Sequence, residues 1–181
     1  MTHERRFHGE AGRLRSPERV AVLEVERVVT LSLEGCTAHS VLDVGTGSGL
    51  FAEAFARRGL EVTGIDVSAE MLEVAQSYVP KGRFREGVAE QIPYPACSFD
   101  LVFMGLVLHE TDDRHQALVE ARRVARLRVV ALEWPHDQGT PGPPLKHRLR
   151  PAEVEALAQE AGLSKAIVLR LANTVLYRLD L

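Results

Sequence analysis

The chain has 181 residues, of which 45% are hydrophobic and 26% are charged, and its formal net charge is −3. This composition is typical of a globular domain with a full core, and the small negative charge gives no reason to expect nucleic acid or an anionic membrane surface as a partner. The charged N-terminal stretch lacks the apolar segment of a secretory signal, and no apolar run is long enough to span a bilayer.

The two cysteines, Cys36 and Cys97, lie far apart in the sequence and do not have the spacing of metal ligands. Their simplest interpretation is that of small apolar side chains in a reduced environment. We therefore predict a cytoplasmic protein without a disulfide.

The first predicted element is a helix that begins at Ser16-Pro17-Glu18. A serine hydroxyl caps a helix N-terminus, proline suits the first helical position, and an acidic side chain is favourable near the positive end of the helix dipole. We expect the helix to continue to about Leu31 within a lid segment, residues 1–35. The expected apolar face consists of Val20, Leu23, Val28 and Leu31.

The middle of the chain alternates between short apolar runs, rich in β-branched residues, and stretches with helical periodicity. The apolar runs predict strands at 40–44, 61–65, 83–86, 99–104 and 128–133. The periodic stretches predict helices at 50–58, 69–79 and 114–127. Gly59 and Pro80 are the end signals of the first two helices, and Ser68 is the cap that begins the second.

Such alternation predicts a parallel sheet with helices on both faces. After a stretch rich in proline and glycine, 136–144, the sequence predicts a helix at 151–161 and a final antiparallel hairpin at the sheet edge. The predicted fold is therefore α/β, a doubly wound and mostly parallel seven-stranded sheet. We expect one domain over 1–181, with a core at 38–135 and a C-terminal part at 136–181.

A glycine-rich turn follows the first predicted strand and reads Gly45-Thr46-Gly47-Ser48-Gly49. A nicotinamide-dinucleotide fingerprint is G-x-G-x-x-G, so the third glycine comes one residue early. Asp43 precedes the turn, where its carboxylate would repel a pyrophosphate and would suit an ammonium or sulfonium group. Asp66, at the end of the second strand, is placed to accept hydrogen bonds from ribose hydroxyls.

Three segments in order, VLDVGTGSGLFA, VTGIDVSAEML and SFDLVFMGLVLHE, resemble the class I S-adenosylmethionine-dependent methyltransferases. The likeness covers about Val41 to Gly162 and is greatest to the type 11 small-molecule branch, which includes ubiquinone and menaquinone biosynthesis methyltransferases. It implies a Rossmann-like methyltransferase fold, S-adenosylmethionine as cofactor and S-adenosylhomocysteine as product.

The resemblance also implies a cofactor site. Residues at the methionine end of the cofactor would be Asp43, Gly45, Thr46, Gly47, Met104 and Gly105, while Gly49 would allow close helix packing. Residues at the ribose and adenine would be Asp66, Val67, Met71, Val88, Ala89 and Glu90. Val88 stands where the family usually has an aspartate for the adenine amino group. The family's proline–glycine–glycine turn before the fifth strand is replaced by ARLRVV, from which we expect only a shorter loop.

His109 and Glu110 follow the fourth strand, where catalytic side chains of such sheets gather. His109 is the first candidate for a base acting on an acceptor hydroxyl or amine; a role in shaping the pocket is the alternative. Glu110 and Glu133 are further candidates. The segment HETDD has Asp113 where a zinc motif would have its second histidine, so we predict no metal site.

Several further residues are candidates for the acceptor pocket because they lie on loops at the carboxyl end of the sheet or close to it: Tyr94, Glu133, Trp134, His136 and His147. Trp134 is either an apolar lid or a stacking wall. The basic run of Arg122, Arg123, Arg126 and Arg128 is interpreted as a solvated face, so no nucleic acid and no membrane insertion are expected.

We therefore predict a methyltransferase that acts on a small-molecule acceptor, with neither the acceptor nor the oligomeric state determined by the sequence. Two alternatives stay open at this stage. One is an S-adenosylmethionine-binding protein without catalysis, and the other is an NAD-dependent oxidoreductase.

Overall fold

The computed structural model describes residues 11–164 and 166–181, so the first ten residues of the predicted lid segment lie outside it. The helices are α1 (Ala11–Leu14), α2 (Pro17–Leu23), α3 (Val25–Leu33), α4 (Leu50–Arg57), α5 (Ala69–Tyr78), α6 (Arg114–Val124) and α7 (Pro151–Glu160). The strands are β1 (Ser40–Val44), β2 (Glu61–Asp66), β3 (Arg83–Glu86), β4 (Phe99–Gly105), β5 (Ala125–Glu133), β6 (Ile167–Arg170) and β7 (Val175–Asp180). Short 3-10 turns occupy Leu108–Glu110 and Leu145–His147.

The strands form one seven-stranded sheet in the order β3-β2-β1-β4-β5-β7-β6. Strands β1 to β5 pair in parallel, whereas β7 runs antiparallel to both β5 and β6. The predicted doubly wound fold with an antiparallel hairpin at its edge is therefore confirmed. Among the described residues, no helix combines the length and the apolar character needed to cross a membrane.

Alternating side chains of the parallel strands build two separate cores because successive residues point to opposite faces of a sheet. Leu42 and Val44 of β1 pack in the cluster that includes α6 and α7. Val41 packs in the other cluster, with α3 and α4. This alternation also decides which polar side chains at the strand ends point into the crevice above the sheet and which point beneath its helices.

The predicted first helix is wrong in one respect, because the chain breaks at Glu24 into α2 and α3. Ser16 caps α2 as expected, with its hydroxyl accepting a hydrogen bond from the Arg19 N–H. Glu24 has a left-handed backbone (φ 48°), and its carboxylate accepts a hydrogen bond of 2.8 Å from the Ala172 N–H. The distant β6–β7 hairpin thus contacts the break, and a local sequence pattern cannot reveal such a contact.

The boundary between α6 and β5 also differs from the prediction. The helix ends at Val124 and the strand begins at Ala125, with no loop between them, so residues 125–127 are strand rather than helix. The missing loop agrees with the shortening expected from ARLRVV. Arg128 bonds to Asp180 and to the Ser32 carbonyl.

The other arginines of the basic run also have partners within the protein. Arg122 donates to the Gly162 carbonyl, Arg123 pairs with Glu120, and Arg126 pairs with Asp100. These side chains join neighbouring elements of the fold. The interpretation as a merely solvated face is therefore incomplete, because these arginines also have a structural use.

Gly49 places the start of α4 directly against α5. Its φ is +75°, and a Cβ atom at this position would lie 2.9 Å from both Cα and Cβ of Ala75. Backbone atoms cannot yield as a flexible side chain can, so glycine is required both for the conformation and for the close approach.

We expect Gly49→Ala to lower the free energy of unfolding by about 2–5 kcal/mol, the sum of a left-handed alanine and an overpacked contact. Gly59→Ala is the matched control, because Gly59 also has a positive φ (+86°) but a Cβ atom added there would have no neighbour within 4 Å. Chemical denaturation should show a loss of only about 1–2 kcal/mol for the control. Equal losses in the two variants would contradict the packing role of Gly49.

Candidate functional site

A cavity of about 1180 Å³ opens at the carboxyl ends of β1, β2 and β4. In the sheet, β1 has β2 on one side and β4 on the other, so the chain order reverses at β1. Doubly wound sheets bind their ligands at such a switch point. The volume exceeds the 300–1,000 Å³ of common small-molecule pockets, so there is room for two ligands side by side.

Thirteen of the predicted site residues line this cavity: Gly45, Gly47, Asp66, Val67, Met71, Val88, Ala89, Glu90, Gly105, His109, Glu110, Trp134 and His147. Seven do not line it: Asp43, Thr46, Gly49, Tyr94, Met104, Glu133 and His136.

Asp66 is held at the cavity wall by two backbone groups. One carboxylate oxygen accepts a hydrogen bond of 2.8 Å from the Gly47 N–H, and the other accepts one of 3.0 Å from the Ser68 N–H. Each oxygen retains a second lone pair for a ligand. The side chain therefore joins the glycine turn, β2 and the start of α5, and it arrives at the cavity in a fixed orientation.

The glycine turn bonds to the protein through its own N–H groups. The N–H groups of Gly45 and Thr46 both donate to the Ile65 carbonyl, Gly47 donates to Asp66, and Gly49 donates to the Thr46 carbonyl. An anion-binding turn needs N–H groups that point at the phosphate. These four donors already have acceptors within the protein, so they are not available to a pyrophosphate.

Asp43 lies beneath the glycine turn, which corrects the prediction that it grips the ligand directly. It points to the same face of the sheet as Val41, towards α4, and its Oδ2 accepts a hydrogen bond of 2.8 Å from the Thr46 hydroxyl. Burial raises the pKa of Asp43 to about 7, although the hydrogen bond from Thr46 opposes this rise. The Asp43 carboxyl therefore shapes the turn from beneath and does not line the cavity.

Two exposed valines line the end of the cavity next to β2. Val67 and Val88 expose 50% and 38% of their surface. Glu90 also lines this end, but its Oε1 accepts a hydrogen bond of 2.8 Å from the Asp112 N–H. Exposed apolar side chains at this end suit a flat aromatic ring, and Glu90 is partly used to hold the loop before α6.

The opposite end of the cavity contains a buried pair, His109 and Glu133. The His109 Nδ1 lies 2.7 Å from Glu133 Oε2, and the His109 backbone N–H donates to Glu133 Oε1 at 3.1 Å. Glu133 is only 1% exposed, so it does not line the cavity as predicted but holds His109 from behind. With Nδ1 donating to a carboxylate, Nε2 is the free acceptor of the neutral imidazole.

The surroundings of His109 change its affinity for protons in opposing ways. Burial by itself lowers the pKa of His109, whereas the charge and hydrogen bond of Glu133, with the charge of Glu110, raise it. The net direction is upward from the ordinary histidine value. The Nε2 atom lies 3.7 Å from Glu110 Oε1, and both residues line the cavity.

Trp134 forms a wall of the same end of the cavity and is covered by a proline-rich loop. A Cβ atom on Gly142 would lie 2.7 Å from the indole, so the loop backbone rests directly on the ring. Arg148 holds this loop with hydrogen bonds to carbonyl oxygens of Pro135, Asp137 and Pro143. Trp134 is therefore part of a fixed wall beneath the loop.

Three predicted site residues lie elsewhere. Tyr94 packs edge-on against Phe99, with ring centroids 5.0 Å apart, and belongs to the core beneath α6. Met104 is fully buried in the same core because it points to the α6 face, and only the next residue, Gly105, reaches the cavity. His136 lies outside the cavity lining.

The sequence did not identify the cavity-lining residues of α1, α2 and the turn between these helices. Leu14 lies over the glycine turn, with Cδ1 only 3.4 Å from where a Gly47 Cβ would be. Arg15 fastens this segment to the core through the Ser48 carbonyl, Glu53 and the Tyr78 ring. The cavity residues from this segment are Arg13, Leu14, Ser16, Glu18, Arg19 and Val22. The predicted lid was the only sequence signal for them.

Residues 42–129 match a protein-family model described as a methyltransferase domain, type 11. An uncharacterised methyltransferase of Bacillus subtilis is 34% identical over 131 residues, covering 70% of this chain and 52% of its own. A demethylmenaquinone methyltransferase of Thermotoga maritima is 38% identical over 112 residues, covering 60% and 48%. The chain thus spans about half the length of these curated relatives.

The crystal structure of an S-adenosylmethionine-dependent methyltransferase from Aquifex aeolicus has the same fold, with a TM-score of 0.82 and 24% identity. The match covers 94% of this chain and 96% of that one, so the two folds correspond from the α1–α3 segment to the final hairpin. The three motifs, the strand order and the crevice at the switch point agree with these matches. Residues 42–129 therefore match the type 11 methyltransferase domain, and the chain has the fold of class I S-adenosylmethionine-dependent methyltransferases, which it also resembles in sequence.

Proposed function

We propose that this chain transfers a methyl group from S-adenosylmethionine to a small-molecule acceptor, with S-adenosylhomocysteine as the other product. The observation that carries the proposal is Asp66, whose carboxylate is fixed at the cavity wall beside a glycine turn that uses four of its N–H groups internally. Either an adenosyl ligand or a dinucleotide would use the carboxylate for a ribose, but a dinucleotide would also need N–H groups of the turn for its pyrophosphate.

The residues at the β2 end of the cavity fit an adenosyl group. The oxygens of Asp66 would bind the ribose hydroxyls, and Val67, Met71 and Val88 would enclose the adenine. When bound, S-adenosylmethionine supplies a methyl group activated by its sulfonium charge. Gly45 and Gly105 line the cavity between this end and His109, so the backbone there leaves room for the methionine part.

The opposite end of the cavity would hold the acceptor. Trp134 and His147 would form its walls, while α1, α2 and the 136–150 loop would exclude water. His109 would accept the proton of the acceptor through Nε2, and Glu133 would keep the imidazole in the correct tautomer and orientation. Holding the acceptor in line with the methyl group is the larger part of such catalysis.

We also propose that the protein is cytoplasmic and forms a single domain. The two cysteines are unpaired in the structure, which is in keeping with a reduced, cytoplasmic setting. Within a single domain, the core at 38–135 would hold the donor, and the flanking parts would select the acceptor.

We expect Asp66→Ala to weaken S-adenosylmethionine binding about 10- to 100-fold, since a hydrogen bond to a charged group contributes about 1.5–3 kcal/mol. Glu61→Ala is the matched control, because Glu61 lies exposed at the other end of the same strand. Calorimetry with S-adenosylmethionine and with NAD, together with transfer of a labelled methyl group into a metabolite extract, measures the effect. Binding of NAD but not of S-adenosylmethionine would refute the proposal.

We expect Glu133→Gln to lower the pKa of His109, because the charge and hydrogen bond of Glu133 raise it in the folded protein. A raised pKa adds stability below the pKa of an unfolded histidine, and this stability is lost as pH rises through the folded value. In Glu133→Gln that pH-dependent part of the free energy of unfolding should become smaller. NMR titration of the imidazole and denaturation at several pH values measure both effects.

The control for this charge change is Glu73→Gln, on an exposed position of α5 outside the cavity. Glu73→Gln should leave the pKa of His109 unchanged. An unchanged His109 midpoint in Glu133→Gln would show that the pair does not set the proton affinity of the imidazole.

A further inference from the structure

A proline-rich loop, residues 136–147, covers the His109 end of the cavity, and we call it the β5 flap. None of residues 136–147, all of which the structure describes, is buried, whereas Pro135 before the flap and Leu149 after it are buried. Five residues of the flap line the cavity: Pro141, Gly142, Pro143, Pro144 and His147. A covering segment that buries so little of its own surface opens at a lower cost than the core does.

One side chain, Arg148, holds the β5 flap together. Its guanidinium group donates hydrogen bonds to the carbonyl oxygens of Pro135 (3.0 Å), Asp137 (3.1 Å), Thr140 (3.0 Å) and Pro143 (2.7 Å), and to the Thr140 hydroxyl (2.5 Å). A guanidinium group presents its N–H donors in one rigid plane. Because these bonds join the two ends and the middle of the flap to one group, the flap is built to move as a unit.

The bonds of the flap to the sheet are weak by comparison. Asp137 forms an ion pair with Arg170 of β6, and each of the two side chains is 51% exposed. Ion pairs so exposed to solvent contribute little to stability. The Gly142 backbone rests on Trp134, which lines the cavity but is only 6% exposed. The flap therefore lies on the indole as a cover and is not part of the core.

On the basis of the proposed function, we propose that the β5 flap is the entrance to the acceptor site. The flap lifts from Trp134 as one rigid body to admit the acceptor and then returns to exclude water while the methyl group is transferred. Arg148 is a positioning residue in this movement, because it keeps the shape with which the flap fits over the indole.

The donor end of the cavity lies apart from this movement. Asp66 is at the carboxyl end of β2, Trp134 follows β5, and both β1 and β4 lie between those two strands. Three strand spacings separate the two ends by about 14 Å. Opening of the flap should therefore change the use of the acceptor and leave the affinity for the donor unchanged.

The first test reads the flap through Trp134, which is the single tryptophan of the sequence. We expect Arg148→Ala and Arg148→Lys each to raise the acrylamide quenching constant of its fluorescence about threefold or more, since lysine keeps the charge but lacks the planar fork. Arg150→Ala is the matched control and should leave the quenching unchanged, because Arg150 is exposed and does not line the cavity.

A second variant displaces the flap without altering Arg148. Gly142 has a φ of +126°, and an added Cβ atom would lie 2.7 Å from the indole, so Gly142→Ala should push the flap off Trp134 and raise the quenching in the same way. Gly139→Ala is its control. Gly139 also has a positive φ (+81°), but a Cβ atom added there has no neighbour within 4 Å.

The functional readout is transfer of a labelled methyl group from S-adenosylmethionine into a metabolite extract at increasing extract concentrations. We expect the Arg148 variants and Gly142→Ala to need about fivefold more extract, or more, for half-maximal transfer. Their affinity for S-adenosylhomocysteine, measured by calorimetry, should stay within about twofold of the parent value. Retained binding of this ligand also shows that the variants are folded.

The proposal is overturned if the Arg148 variants keep the quenching of the parent protein, if Arg148→Lys behaves as the parent does, or if quenching rises while the half-maximal extract concentration stays the same. Should the Arg148 variants lose S-adenosylhomocysteine binding, Gly142→Ala decides: raised quenching with unchanged transfer overturns the proposal. Absence of S-adenosylmethionine binding and of methyl transfer in the parent protein is the separate result that refutes the proposed function.

Discussion

The carboxylate of Asp66 connects the parts of the protein on which the cavity depends. It accepts hydrogen bonds from the Gly47 N–H and the Ser68 N–H, and so it joins the turn after β1 to the start of α5. Charge-assisted hydrogen bonds of this kind are stronger than neutral ones. The same side chain that would bind the donor therefore also maintains the shape of the cavity wall next to β2.

A second carboxylate has the corresponding position at the His109 end of the cavity. Glu133 lies at the end of β5, next to β4, and holds both the backbone and the imidazole of His109. The two ends of the cavity thus share one arrangement. At each end, an acidic residue at the carboxyl end of a strand positions the segment that follows the neighbouring strand. In one half the carboxylate itself faces the cavity, and in the other it faces a histidine that does so.

Contacts between distant parts of the chain decide how the cavity is covered. Arg15 joins α1 to the core, while Glu24, at the break between α2 and α3, bonds to the β6–β7 hairpin. Arg148 fixes the loop that rests on Trp134. The segments that cover the cavity therefore depend on the core for their placement, whereas the cavity wall next to β2 is formed mainly by the core itself.

The sequence by itself determined the order of strands and helices from β1 to β7 and the edge hairpin, and it identified the glycine turn and Asp66 that line the cavity next to β2, because strand periodicity and a glycine turn are local signals. Tertiary structure alone decided that Asp43 and Met104 point beneath the helices, that Tyr94 belongs to the core, and that Glu133 stands behind His109. The physical reason is that side-chain direction at a strand end depends on sheet register and on the helix packed against it. Neither is encoded within a few residues of the side chain concerned.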